Sequence, residues 1–146
     1  MVEYSPTPLV TFTIPGEAVG KGRPRFIRAT GRTYTPEKTA RYENLVRVCY
    51  AQQVGNRMFD REIPLYMHVD IYMQVPKSVS KRKREMMLAG KILPTKKPDC
   101  SNILKAIEDG LNAVAYHDDS QIVAVTVTKR FGEQPGVQVR IREAIK

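Results

Sequence analysis

Asp99 stands directly after a proline and directly before a helical stretch, and Asp118 and Asp119 stand together in the turn that follows it. Carboxylates are the hard oxygen donors that Mg²⁺ prefers, and an ion held this way can steady a leaving oxygen and activate water, as phosphodiester hydrolysis requires. The two acidic groups meet only if the strand after the turn packs beside the helix. On type and spacing alone the plainer reading is favoured: Asp99 caps the helix or closes an Asx turn after Pro98, and Asp118 and Asp119 form an ordinary turn before a strand. Lys105, one turn into the helix, also has two readings. It is a cation positioned for a phosphate or for developing negative charge, or a solvated lysine paired with Asp109 or Glu108. His117 adjoins Asp118 and keeps a metal or base role open, whereas His68 lies on the polar side of a strand with no partner at ligand spacing.

Around these residues the charge is concentrated. The chain carries 24 Lys and Arg against 15 Asp and Glu, a net charge of +9, and a pI near 9.7. Such a balance suits a polyanion, nucleic acid ahead of an anionic membrane surface. One basic stretch runs through Lys21, Arg23, Arg25, Arg28, Arg32 and Lys38; the other through Lys77, Lys81, Arg82, Lys83, Arg84, Lys91, Lys96 and Lys97. Both read as phosphate-facing segments. Phe26 and Tyr34, within the first, have two readings, aromatic rings that stack on or wedge between opened bases and core side chains, of which core is favoured.

The elements that must position these groups follow from periodicity. Val10, Phe12 and Ile14 alternate with threonines up to Pro15-Gly16, a short first strand. The Gly-, Arg- and Pro-rich stretch up to Tyr34 has no period and reads as a basic loop. Thr35-Pro36-Glu37 supplies a cap with Pro36 at the first helical position, and Tyr42, Leu45, Val46 and Cys49 continue a helix to a stop near Gly55. Leu65 to Val75 alternates cleanly, the clearest strand in the chain. Ser80 caps a short basic helix ending near Gly90. From about Ser101 to Val114, Leu104, Ile107, Leu111 and Val114 form an inward stripe, while Asn102, Lys105, Asp109 and Asn112 line the polar face with Ser101 and Glu108 beside them. The runs Val123, Val125, Val127 and Val137, Val139, Ile141, separated by Gly132 to Gly136, predict a C-terminal hairpin.

A chain of 146 residues forms one domain, 1–146, able to bury roughly two-thirds of its unfolded surface. The order of elements gives an α+β fold with a mixed four-stranded sheet and two or three helices. No apolar run spans a membrane. The N-terminus lacks a basic start followed by an apolar stretch, which gives the expectation of no signal peptide and a cytoplasmic location. Cys49 and Cys100 lack CxxC spacing and read as free thiols.

The run Lys97-Pro98-Asp99-Cys100-Ser101-Asn102-Ile103-Leu104-Lys105-Ala106-Ile107-Glu108-Asp109-Gly110-Leu111, continued by Tyr116-His117-Asp118-Asp119-Ser120-Gln121-Ile122, resembles the core of the RusA family of Holliday-junction resolvases. That family pattern has Pro-Asp-x-Asp-Asn, a lysine three residues on, a further helical aspartate, and an Asp-Asp-x-Gln turn. Lys21-Gly22-Arg23-Pro24-Arg25 and the basic segment from Lys81 to Lys91 also look like it, so the resemblance covers roughly Phe12 to Ile141. It implies a homodimeric, metal-dependent endodeoxyribonuclease that cuts four-way junction DNA in recombination and repair, with no nucleotide cofactor. By resemblance Asp99, Lys105 and Asp119 are the catalytic residues. Asp99 and Asp119 hold Mg²⁺, or alternatively Mn²⁺, with Asp118 and Ser101 as further candidate ligands. Lys21, Arg23, Arg25, Lys81, Arg82, Lys96 and Lys97 bind DNA.

The chain departs from the pattern at one place. Ser101 stands where the family has its second aspartate, and a neutral hydroxyl is the weaker ligand. Asp118 is the nearest substitute and Glu108 a further one, or Ser101 simply caps the helix. A second reading is therefore a branched-DNA-binding protein with weakened or lost nuclease activity. A third is a basic RNA-binding or ribosome-associated domain.

Overall fold

A computed structural model describes residues 2–6 and 10–145; Met1, residues 7–9 and Lys146 of the expected 1–146 domain lie outside the described residues. The strands are β1 (Glu3–Tyr4), β2 (Val10–Pro15), β3 (Arg25–Ile27), β4 (Arg32–Tyr34), β5 (Leu65–Gln74), β6 (Ile122–Gly132) and β7 (Gly136–Ile145). The helices are α1 (Glu37–Gln53), α2 (Lys81–Leu88) and α3 (Cys100–Leu111). The fold is α+β, as expected. Its mixed sheet is four positions wide, with β1 and β2 following one another along one edge of β7, then β5, then β6. β5 is antiparallel to β7 and parallel to β6.

This order corrects the expected C-terminal hairpin. β6 and β7 are consecutive and opposite in direction, yet β5 lies between them. Leu65, Met67, Val69 and Ile71 are all buried, so β5 gains most by taking the centre of the sheet. The short link before Gly136 passes over the end of β5, where Gly132 lies against Tyr72: a Cβ added there would sit 3.1 Å from the Tyr72 ring. The parallel pairing of β5 with β6 needs a crossover, which α2 and α3 supply.

The core lies between the sheet and α1 and α3. Phe12, Tyr42, Val46, Tyr50, Ile103, Ile107, Leu111 and Tyr116 pack against the inner face of β5 and β7. Gly110 lets the two helices approach, since a Cβ there would lie 3.1 Å from both the Glu43 carbonyl oxygen and the Val46 Cβ. The buried stripe of α3 is Ile103, Ala106, Ile107, Gly110 and Leu111; Leu104 is only partly buried and the helix ends at Leu111, short of Val114. α1 begins one residue later than expected, with Pro36 as its cap residue rather than its first helical position. α2 matches its expectation: the Ser80 hydroxyl accepts from the Lys83 N–H at 3.2 Å, and Gly90 follows with φ of 79°.

The segment read as a featureless basic loop contains the β3–β4 hairpin, which pairs with itself and joins no other strand. No helix among the described residues is long and apolar enough to cross a membrane.

Candidate active site and basic cleft

The polar face of α3 carries Asn102, Lys105 and Asp109, and the fold brings three other segments to it. The loop after β2 arrives first. Lys21 N–H donates to the Asn102 carbonyl at 2.9 Å, and Gly22 N–H donates to the hydroxyl of buried Thr39 on α1 at 2.9 Å. Gly20 fits against Pro98 and Asn102, where a Cβ would stand 3.1 and 3.2 Å from theirs. Residues 20–22 are thereby clamped between α1 and α3, which aims the Lys21 ammonium inward.

Lys21 Nζ meets Glu43 Oε2 of α1 at 2.6 Å and Asp109 Oδ2 at 3.0 Å. Asp109 Oδ1 lies 3.1 Å from Lys105 Nζ, which lies 3.6 Å from Asp119 Oδ2. The result is a chain of alternating charge, Glu43, Lys21, Asp109, Lys105, Asp119, that ties α1, the N-terminal loop, α3 and the turn before β6 together. Burial pulls the Lys21 ammonium down, but its bonds to Glu43 and Asp109 outweigh that and leave its pKa raised. Lys105 is raised chiefly by its bond to Asp109. Both lysines therefore stay charged at neutral pH. The Lys105 side chain is 52% exposed against 20% for Asp109 and 28% for Asp119, so it is the member that an incoming anion meets.

The turn holding Asp118 and Asp119 is fixed by one glutamine. Gln121 Oε1 accepts from the N–H groups of His117 and Asp118 at 2.8 and 3.3 Å, and its Nε2 donates to the carbonyls of Asp60 and Ile63 at 2.8 and 3.2 Å. Asp118 Oδ2 accepts from Ser120 N–H at 3.1 Å, capping the short 3₁₀ turn Asp119–Gln121. Those bonds to Ser120 hold the Asp118 carboxyl below its usual range. Asp118 thus shapes the turn while Asp119 reaches Lys105. Beneath them, burial, then the Asp119 charge, raises the Glu108 carboxyl. The Tyr116 hydroxyl, also pushed up by burial, donates to the Glu108 carbonyl at 2.9 Å.

Asp99 is the residue preceding α3, in extended conformation; its carboxylate makes no cap bond and instead accepts from Asn102 Nδ2 at 3.3 Å. Ser101 is exposed inside the first turn, so the cap reading of Ser101 is corrected: the cap position belongs to Asp99. Among the described residues no three His, Cys, Asp or Glu side chains gather so as to hold a metal ion. The donor set as folded, with Asp109 and Asp119 answered by lysines, is not a finished metal centre.

Beside Asp99 opens a cleft of about 870 Å³ lined by Lys21, Arg23, Arg25, Lys38, Lys97, Asp99 and Asn102 among others. It unites the N-terminal basic stretch with Lys97. Lys96 lies outside it, lining a second cleft with Met87, Leu93 and Phe131, and Lys81 and Arg82 sit apart on exposed α2. Lys129 of β6 donates to the carbonyls of Lys96 and Pro98 at 2.7 and 3.1 Å, fixing the approach to α3.

Sequence reasoning missed Glu43 and Lys129. Glu43 had a signal, an acid beside Tyr42 and Val46 on the buried face of a helix, where an unpaired charge is costly; Lys129 had none. Phe26 and Tyr34, read as core, are 63% and 46% exposed.

A small α+β domain with a lysine–carboxylate chain beside a cationic cleft has the parts of a protein that works on a polyanion. The family model described as endodeoxyribonuclease RusA matches residues 15–142, and the chain belongs to that family of DNA endonucleases. It is also similar to the "Uncharacterized protein YqaN" of Bacillus subtilis (strain 168), 38% identical over 138 residues, spanning 92% of this chain and 96% of the relative.

Proposed function

We propose that this protein is a structure-selective endodeoxyribonuclease that resolves four-way DNA junctions in recombination and repair, acting as a homodimer with Mg²⁺. The contact of Lys105 with Asp119 carries the reading, because it joins the two halves of the family pattern, the helix lysine and the Asp-Asp-x-Gln turn, in one site. In this reading Lys105 binds the scissile phosphate and steadies charge on the leaving oxygen. Asp109 positions Lys105, and Arg23, Arg25 and Lys97 hold flanking phosphates along the cleft, while Lys21, paired with Glu43 and Asp109, braces the loop that leads to those arginines. Asp99 and Asp119, with Asp118 and Ser101 as further candidates, are the proposed Mg²⁺ ligands. Among the described residues no three His, Cys, Asp or Glu side chains form a metal cluster, so a full coordination shell would need water or DNA oxygens beside these residues. Support for a homodimer comes from β6, an edge strand of the sheet on which Val123 and Val125 are 52% and 37% exposed. A second copy would cover them.

One observation favours the alternative, a branched-DNA binder with weakened cutting: no three acidic, histidine or cysteine side chains cluster among the described residues, and Ser101 stands in place of an aspartate. Cleavage of a labelled four-way junction at increasing Mg²⁺ separates the two. Paired nicks, abolished by Asp99→Asn and by Asp119→Asn, uphold the resolvase. Tight binding without nicks at any Mg²⁺ concentration identifies the binder.

A further inference from the structure

The β3–β4 hairpin lends Arg25 to the cleft, but its turn and its exposed rings lie outside the proposed cutting site. It is clamped at its feet, by Lys21 and Gly22 on one side and by the start of α1 on the other. Beyond the feet, every residue from Arg23 to Thr35 is exposed. A lone two-stranded hairpin is marginal in water, so this one stands on its pairing and its turn alone. The turn closes through N–H groups of Thr30 and Gly31 on the Ile27 carbonyl, with Gly31 at φ of 69°.

Its composition is unlike that of a solvated loop. No acidic residue occurs between Glu17 and Glu37. Arg23, Arg25, Arg28 and Arg32 form no ion pair among the described residues. The register sets Arg25 opposite Tyr34 and Ile27 opposite Arg32, so these four share one face, while Phe26 opposite Thr33 takes the other. Phe26 is 63% exposed, Tyr34 46% and Ile27 41%. Apolar rings held in water on a strip of unpaired arginines match a ligand that offers phosphates and flat apolar faces together. Nucleic acid offers both, but a duplex hides its base faces in the stack; they open at a branch point.

We propose that the β3–β4 hairpin is a branch-point reader whose arginines follow the phosphates while Phe26 stacks on a base left without a neighbour. The inference rests on the junction-acting reading above and names the segment that would give it selectivity for branched over linear DNA.

The chain contains no tryptophan, so Phe26→Trp installs a single reporter on an exposed strand where no core packing is at stake. The titration is run in EDTA with the full chain against a four-way junction and against a matched duplex. Trp emission quenched by the junction and little changed by bound duplex is the expected result. Phe26→Ala is expected to weaken junction binding roughly tenfold while duplex binding changes little. Tyr34→Trp reports on the opposite face and guards against a local misfold of the first variant. Equal quenching by duplex and junction, or none with the junction bound, overturns the proposal. So does a shift on vesicles of anionic lipid as large as that with the junction, which would make the hairpin a membrane contact. Quenching by the junction in a protein that never cuts it supports the hairpin while sinking the resolvase reading, so the two failures are distinguishable.

Discussion

Lys105 Nζ lies 3.6 Å from Asp119 Oδ2, and this contact joins the middle of α3 to the turn that starts β6. Asp109, one helical turn on at 3.1 Å, holds the same ammonium from the other side. A half-exposed cation flanked by two carboxylates gains little stability from them, which leaves it free to trade one for a phosphate. Lys105→Met is therefore expected to lower the single-turnover rate of junction cleavage by about 10²-fold, with a melting temperature close to that of the native chain. A variant that cuts at the native rate would remove Lys105 from the chemistry.

Lys21 is the opposite case, a clamped lysine with about 20% of its side chain exposed between Glu43 and Asp109. Its folded pKa lies above the ordinary 10.5 because its bonds to those carboxylates outweigh burial. A raised folded pKa means that the folded chain holds the proton more tightly than the unfolded one. The resulting stability is complete below 10.5 and is lost as pH climbs through the folded value. Lys21→Met is expected to cost about 2 kcal/mol near neutrality. In urea unfolding followed at rising pH, the gap between native and variant should narrow above 10.5; a constant gap would mean that the charge contributes nothing.

Alternation along the chain made the faces of the strands legible but not their neighbours. Leu65, Met67, Val69 and Ile71 announce a strand with one buried face, and all four are buried. The same period in β6 and β7 suggested a hairpin, because a valine run says which side is apolar and nothing about which strand lies beside it. At the sheet edge Val123 and Val125 keep the pattern and remain exposed. The α3 stripe was displaced in part, to Ile103 from Leu104, since spacing of three and four fits either residue beside Ile107. In the site, the order of Asp99, Lys105 and Asp119 was readable as a family pattern. The clamp of Lys21 on Glu43 was not, because it depends on a loop and a helix meeting through contacts far apart in sequence.

Ser101 tests the donor set directly. It is exposed in the first turn of α3, where an added carboxylate meets the positive end of the helix dipole and should stabilise the fold by a few tenths of a kcal/mol. Ser101→Asp also restores an acid two residues after Asp99. The variant is expected to reach half-maximal cutting at a Mg²⁺ concentration about tenfold lower than the native chain, since Mg²⁺ selects hard anionic oxygen. An unchanged metal dependence in a well-folded variant would show that the missing donor lies elsewhere, with Glu108 the next to replace.

The cleft makes a prediction about salt rather than about rate. Arg23, Arg25 and Lys97 line it together with Asp99, and each cation that neutralises a phosphate releases counterions on binding. Arg23→Ala and Arg25→Ala should each reduce the slope of log affinity against log salt by about 1 for junction and duplex alike. Phosphate contacts position the nucleic acid without reading its shape, so the ratio of junction to duplex affinity should stay near its native value in both. Lys81→Ala, on α2 and outside the cleft, provides the contrast. A slope change at Lys81 equal to that at Arg23 would extend the DNA path over α2, whereas no change at either arginine would move it off the cleft altogether.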